Sequence, residues 1–73
     1  MVNIYTLPAC VQCESTKRWL SKNGIEYSEI KLQEAREDLE RLKSLGFSQA
    51  PIVEAGESLW SGFRLDKLQD LAA

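Results

Sequence analysis

The first third of the chain changes from an alternating to a helical pattern. Val2–Thr6 alternates between apolar and more polar positions, which predicts a β-strand that starts almost at the first residue. From about Val11 the apolar positions recur at helical spacing, and Asn23-Gly24 supplies a left-handed stop. The first unit is therefore a strand, a turn at residues 7–9 that delivers Cys10, and a helix.

The middle of the chain predicts a second strand and a second helix. Residues 27–32 favour the strand, and Gly46 ends the helix that follows. The apolar stripe of this helix is Ala35, Leu39 and Leu42. Glu34 and Glu37 lie near its positive end, and Glu37 stands four residues before Arg41, the spacing of a helical ion pair.

The last third predicts a hairpin and a closing helix. Residues 51–53 and 59–61 bracket the short connection 54–57, and Leu65, Leu68 and Leu71 share one helical face. The predicted order is βαβαββα. A strand-helix-strand opening implies a right-handed crossover with parallel pairing, whereas a hairpin is antiparallel, so we expect an α/β fold with a mixed sheet.

Length and charge narrow the class of protein. The 73 residues suffice for one domain, and no linker or repeat divides the chain. The nine Lys and Arg are interleaved with eleven Asp and Glu, for a net charge of −2, which argues against nucleic-acid and membrane partners. No apolar run approaches the roughly 20 residues that span a bilayer, so we expect a cytoplasmic protein and require no more than a monomer.

The pair Cys10 and Cys13 carries the candidate chemistry. Residues three apart meet on one helical face, so the two sulfurs can join and part if Cys10 lies at the helix entrance. The unpaired N–H groups there favour a thiolate, so we expect Cys10 to be more acidic than a free thiol, whose reference pKa is about 8.5. Cys10 is then the nucleophile, and the shielded Cys13 resolves a mixed disulfide.

Other interpretations of the two cysteines are weaker. They could be core residues or an inert disulfide. A structural zinc or iron–sulfur site wants four ligands, and two Cys with no His could complete one only between two chains, so we expect no metal. The missing His also excludes Cys-His activation, which leaves the helix terminus and, as a candidate electrostatic support, Lys17.

Three motifs follow one another along the chain: Ile4-Tyr5-Thr6 with Cys10-Val11-Gln12-Cys13 and Thr16-Lys17, then Gln49-Ala50-Pro51-Ile52-Val53, then Trp60-Ser61-Gly62-Phe63-Arg64 with Asp66. In this order they resemble the NrdH-redoxins, glutaredoxin-like proteins of bacteria and their phages. The resemblance spans essentially the whole chain. It implies a thioredoxin-like fold, with a four-stranded sheet in the order 2-1-3-4 flanked by three helices. It also implies that Pro51 is cis and that the Ala50 backbone bonds an extended substrate segment.

The resemblance further implies a function. The family passes electrons from thioredoxin reductase, an NADPH-dependent flavoenzyme, to class Ib ribonucleotide reductase, whose large subunit is the expected acceptor. The carrier would bind no cofactor, because NADPH and FAD belong to the reductase. One stretch of the chain is similar to the stretch that helps glutaredoxins hold glutathione. Its residues are candidate partner contacts: Trp60, Ser61, Gly62 and Phe63. These residues could instead serve only the core and a tight turn.

Two residues depart from the family pattern, and the first of them bears on the electron source. Leu7 stands where these proteins and glutaredoxins commonly carry Lys, and Leu65 stands where the family usually has Pro. Leu7, together with Val11-Gln12 in place of the usual Pro-Tyr, argues against the first alternative, a glutathione-coupled glutaredoxin. The second alternative is a thioredoxin-like binding module whose cysteines are incidental.

Overall fold

Strands and helices follow one another in the predicted order in the computed structural model, which describes residues 1–72. The elements are β1 (Val2–Thr6), α1 (Val11–Lys22), β2 (Tyr27–Lys31), a 3₁₀ turn (Leu32–Glu34), α2 (Arg36–Ser44), β3 (Ile52–Ala55), β4 (Ser58–Ser61) and α3 (Leu65–Ala72). None of the helices in this part of the chain has the length and apolar character needed to cross a membrane.

The four strands form one mixed sheet in the order β2-β1-β3-β4, as the family resemblance implied. β1 pairs with β2 in parallel and with β3 antiparallel, and the β3–β4 hairpin is antiparallel. β1 therefore lies inside the sheet, and both faces of it are covered. Ile4 and Tyr5, which point to opposite faces, are both buried.

Each face of the sheet carries its own apolar cluster. One cluster unites β1, β3 and β4 with α1 and α3: Val2, Ile4, Leu20, Val53, Trp60 and Leu68. The other unites the opposite face with α2 and the 3₁₀ turn: Tyr5, Leu32, Leu42 and Ile52. The domain thus has three layers, with the sheet in the middle, and the chain passes from the carboxyl end of β1 into α1 in one outer layer.

The boundaries of β2 and α2 differ from the prediction. β2 ends at Lys31, because Leu32 opens the 3₁₀ turn and buries its side chain against α2. α2 then begins at Arg36, so Glu34 lies in the preceding 3₁₀ turn, directly before the N-cap, and Glu37 lies in the first turn of the helix. Ala35 is the N-cap of α2 and contributes no side-chain hydrogen bond.

The hairpin and the closing helix each differ from the prediction in one respect. The β3–β4 connection is shorter than predicted, because Ala55 pairs with Ser58 and only Gly56 and Glu57 form the turn. On α3, Leu68 is fully buried, whereas Leu65 is 44% exposed, so Leu65 does not belong to the buried face. The helix still begins at Leu65, where the family usually has Pro.

Arg41 joins α2 to the sheet. Its Nη2 donates to the Tyr5 hydroxyl at 3.0 Å, and its guanidinium lies 5.9 Å from the centre of the Tyr5 ring. The hydroxyl in turn donates to Glu54 Oε1 at 2.9 Å. The predicted pair with Glu37 is therefore wrong: the guanidinium leans toward the sheet, where its carboxylate neighbours are Asp38 and Glu54, each at 3.8 Å.

The same contacts perturb two ionisations. Burial and the hydrogen bond to Glu54 raise the pKa of Tyr5. The hydrogen bonds from Tyr5 and Asn3 lower the pKa of Glu54. The cluster is therefore most stable with a neutral phenol and an ionised carboxylate.

We predict that Tyr5→Phe lowers the free energy of unfolding by about 1 to 2 kcal/mol, because a buried hydroxyl bonded to charged groups is lost. Urea unfolding followed by circular dichroism measures the change. Tyr27→Phe is the matched control, since the Tyr27 hydroxyl makes no hydrogen bond to any residue from 1 to 72. Equal losses in the two variants would contradict the role given to the Tyr5 hydroxyl.

The stability gap between the parent and Tyr5→Phe should depend on pH. Because folding lowers the pKa of Glu54, its contribution is present above the unfolded value of about 4.3 and is lost as pH falls through the lower folded value. Unfolding curves at a series of acidic pH values should show the gap closing below about pH 4. A stability gap that stays constant from about pH 4 down to about pH 2 would exclude this linkage.

Candidate active site

Cys10 is the N-cap residue of α1. Its backbone is extended, with φ −106° and ψ 106°, and α1 begins at the next residue. The sulfur of Cys10 accepts a hydrogen bond from the backbone N–H of Cys13 at 3.1 Å, and its carbonyl oxygen accepts one from the Glu14 N–H at 3.2 Å. In this oxidised form the acceptor is a disulfide sulfur. After reduction the same N–H faces the thiolate, a stronger acceptor.

Cys13 lies behind Cys10. The two residues form a disulfide with their Cα atoms 5.2 Å apart. Cys13 is 1% exposed, whereas Cys10 is half-buried at the surface of the loop. A partner sulfur can therefore approach Cys10 and not Cys13, which is the arrangement required for the predicted nucleophile and resolver. Within residues 1–72, no group of three or more His, Cys, Asp or Glu side chains is placed to hold a metal ion.

The turn before Cys10 contains a strained residue that the sequence did not indicate. Ala9 has φ +55°, in the left-handed region that a residue with a Cβ rarely adopts. Such a conformation costs on the order of 1 kcal/mol and persists only where the surroundings impose it. β1 ends at Thr6 and α1 begins at Val11, so the turn must reverse direction within a few residues. No residue type in Leu7-Pro8-Ala9 signals this conformation.

The loop at Pro51 directly precedes β3, an inner strand of the sheet. The Ala50–Pro51 peptide is cis, as the resemblance implied, and Pro51 is buried. The carbonyl of Pro51 accepts a hydrogen bond from the Gly62 N–H at 2.7 Å. Ala50 is half-buried, and its backbone N–H and C=O have no hydrogen-bond partner in the described part of the chain. These two groups are free to bond an added strand.

The stretch from Trp60 to Phe63 divides between core and surface. Trp60 is 6% exposed and packs in the cluster between the sheet, α1 and α3, which leaves it little surface to offer a partner. Ser61 donates from Oγ to the Gln49 carbonyl at 2.8 Å. Gly62 has φ +90°, and Phe63 is 37% exposed. Ser61, Gly62 and Phe63 therefore remain the accessible candidates for partner contact.

Gln12 connects this stretch to the cysteine helix. Its side-chain Oε1 accepts a hydrogen bond from the backbone N–H of Phe63 at 3.0 Å, across 51 positions of sequence. A Cβ on Gly62 would stand 3.5 Å from the same oxygen, an ordinary contact. The prediction of site residues omitted Gln12. Its place between the two cysteines was the one available signal, because nothing local to residue 12 reveals a partner so far along the chain.

Lys17, the candidate electrostatic support, is bound to carboxylates. Its Nζ lies 2.8 Å from Glu14 Oε2 and 3.3 Å from Glu29 Oε2. Thr6 Oγ1 donates to Glu29 Oε2 at 2.8 Å. The hydrogen bond from Thr6, followed by that from Lys17, lowers the pKa of Glu29, and the bonds to Glu14 and Glu29 raise the pKa of Lys17. Neither carboxylate was predicted from the sequence to lie near the site.

The chain has a Cys-x-x-Cys disulfide of the redox-active type at a helix N-terminus, beside a cis-proline loop on a sheet of order 2-1-3-4. Together these features define a thiol-disulfide oxidoreductase with the thioredoxin fold. The sequence profile of the glutaredoxin family matches residues 2–60. The chain belongs to the glutaredoxin family and is similar over nearly its full length to glutaredoxin-like NrdH proteins.

Two relatives and one solved structure show the extent of this similarity. The chain is 41% identical over 70 residues to the glutaredoxin-like protein NrdH of Escherichia coli strain K12, covering 96% of this chain and 86% of the relative. It is 38% identical over 72 residues to NrdH of Lactococcus lactis subsp. cremoris, covering 99% and 100%. The structure of the E. coli NrdH-redoxin superposes with a TM-score of 0.93 at 41% identity, covering 96% of this chain and 92% of that one.

We predict that Gln12→Met loosens the contact between α1 and the stretch at Phe63. Losing one neutral hydrogen bond should speed exchange of the Phe63 amide roughly two- to tenfold, while the Gly62 amide, bonded to Pro51, keeps its protection. Amide hydrogen exchange by NMR resolves the two. Gln33→Met, which changes an exposed Gln elsewhere, is the matched control. Unchanged exchange at Phe63 would show that the Gln12 bond contributes nothing in solution.

Proposed function

We propose that this protein is a dithiol electron carrier that receives electrons from thioredoxin reductase and reduces the disulfide of the class Ib ribonucleotide reductase large subunit. The observation that carries the proposal is the placement of the Cys10 sulfur. It lies at the N-cap of α1, where it accepts the Cys13 N–H, with the buried Cys13 sulfur bonded directly behind it. This geometry provides an accessible nucleophile and an adjacent resolving thiol.

The proposed reaction proceeds in two exchanges. The Cys10 thiolate attacks one sulfur of the partner disulfide, the partner S–S bond breaks, and the second partner sulfur leaves as a thiolate. Cys13, as its thiolate, then attacks Cys10, which forms the intramolecular disulfide and releases the first partner sulfur. The partner gains two electrons and, on protonation, two thiols. The carrier is oxidised to the Cys10–Cys13 disulfide, which an external reductase must reduce again.

Docking of the partner is proposed at the adjacent loop. The unpaired N–H and C=O of Ala50 suit an extended segment that carries the partner cysteine, added beside the cysteine loop in the manner of a further strand. The cis peptide at Pro51 and the accessible residues 61–63 border the same approach. We expect Phe63 to supply the apolar contact on that side, because its ring is partly exposed.

Two observations support thioredoxin reductase over glutathione as the source of electrons. Leu7 places an exposed apolar side chain where a Lys would attract a glutathione carboxylate. In addition, the similar E. coli NrdH-redoxin is described as having a thioredoxin-like activity profile. NADPH and FAD then act in the reductase, and the carrier works as a cofactor-free monomer in the reducing environment of the cytoplasm.

The decisive experiment uses two single-cysteine variants. Cys10→Ser should abolish disulfide reduction with the fold unchanged by circular dichroism, because no nucleophile remains. Cys13→Ser should keep the attack and lose the resolution, so that a stable mixed disulfide with the partner accumulates. Mass spectrometry of that species identifies the partner, and ribonucleotide reductase is expected. Activity that survives Cys10→Ser would overturn the proposal in favour of a binding module.

The electron source is tested by reconstitution with the unaltered protein. NADPH and thioredoxin reductase should sustain many turnovers on a disulfide substrate. Glutathione, NADPH and glutathione reductase should sustain at most slow turnover. Faster turnover with the glutathione system would replace the proposed carrier with a glutathione-coupled glutaredoxin.

A further inference from the structure

A charged cluster beside the cysteine loop has no role in the exchange reaction described above. Lys17 extends from α1 and lies between the carboxylates of Glu14, on the same helix, and Glu29, on β2. Thr6, the last residue of β1, is buried and donates to Glu29. Lys17 and Glu29 are themselves mostly covered, with 21% and 27% of their side chains exposed. The cluster is thus a defined arrangement across three elements.

The cluster and the cysteine turn border one pocket. A cavity of about 290 Å³ is lined on one side by residues 7–9, the turn that ends at Cys10. It is also lined by Glu14, Lys17 and Glu29, and by Lys31 as a second cation. Lys17 also lies one helical turn after Cys13, on the cysteine face of α1. An ammonium free to extend across this pocket would approach the start of α1.

In the structure the ammonium is bound by carboxylates instead. The Lys17 nitrogen lies 2.8 Å from Glu14 and 3.3 Å from Glu29, so these two charges offset its positive charge. Thr6 fixes Glu29, which prevents this carboxylate from following the lysine into the pocket. Lys31 is not within ion-pair distance of Glu14 or Glu29 among the described residues, although its charge also contributes to the lowered pKa of Glu29.

We propose that Glu29, anchored by Thr6, is a positioning residue for the redox reaction: with Glu14 it holds Lys17 away from Cys10, so that the helix N-terminus alone stabilises the thiolate. This inference rests on the proposed function, in which Cys10 is the attacking thiol. The benefit is chemical. Nucleophilicity falls as a thiol becomes more acidic, and the best attacking thiol ionises near ambient pH. Restraining Lys17 keeps Cys10 from becoming too acidic to be an efficient reductant.

The test measures the pH midpoint of thiolate formation at Cys10. In the Cys13→Ser chain, Cys10 is the one thiol, and its alkylation rate by iodoacetamide across pH gives the midpoint. Glu29→Gln keeps an oxygen that can accept the Thr6 hydroxyl and removes the charge. The midpoint should fall by about 0.2 to 0.7 pH units, the range expected for one partly exposed ion pair. Glu14→Gln with Glu29→Gln should lower it further.

A cycle with Lys17→Met separates restraint of the lysine from simple charge removal. If Glu29 acts by holding Lys17, Glu29→Gln should shift the midpoint much less when Lys17 is already Met. Equal shifts in the two backgrounds would overturn the proposal, as would no shift in either. Glu26→Gln removes the same charge just before β2, away from the cysteine loop, and should leave the midpoint unchanged.

Failure of this inference can be told apart from failure of the proposed function. The two-cysteine chain and its Cys10→Ser variant are assayed for disulfide reduction alongside the midpoint measurements. An unmoved midpoint in a chain whose activity still requires Cys10 overturns the role of Glu29 alone. Activity that does not require Cys10 overturns the proposed function. If Glu29→Gln does not fold, Glu14→Gln, on a largely exposed side chain, tests the same restraint from the other carboxylate.

Discussion

The site depends on the hydrogen bond between the backbone N–H of Cys13 and the sulfur of Cys10. A helix leaves its first N–H groups without intrahelical partners, and here the capping acceptor is a sulfur in place of the usual hydroxyl or carboxylate. One constraint thereby serves two ends, because it begins α1 and positions the reactive atom. Cys13 follows one turn later and is buried, so of the two sulfurs only that of Cys10 lies toward the surface.

The surroundings of this sulfur come from distant parts of the chain. Pairing of β1 with β3 sets the Pro51 loop near the cysteine turn, and the Gly62 N–H bonds the Pro51 carbonyl. Gln12 completes the connection by accepting the Phe63 N–H. Residues 62 and 63 are consequently held by hydrogen bonds on two sides, whereas the Ala50 backbone is unpaired within residues 1–72. A rigid loop with unpaired backbone groups at Ala50 suits recognition by strand addition.

On each side of the sheet, a cation from a helix pairs with carboxylates. The Arg41 guanidinium lies over the Tyr5 ring, donates to its hydroxyl and pairs with Glu54, and these contacts connect α2 to β1 and β3. Lys17 rests between Glu14 and Glu29, which ties α1 to β2. Each cation therefore connects a helix to a strand, and neither is left as a free charge near the cysteines. A net charge of −2 gives no hint of this pairing, since it counts charges without placing them.

The sequence by itself determined the order of elements, the start of α1 and the roles expected of the two cysteines. These follow from local rules: alternation along β1, helical spacing after Val11, and unpaired donors at a helix start. Resemblance to a family added the strand order and the cis peptide at Pro51. Only the tertiary structure decided that Ala9 is left-handed, that Arg41 turns to the sheet, and that Gln12 and Glu29 have partners near the site. Those contacts join residues 12 to 51 positions apart, and no local preference of either partner encodes them.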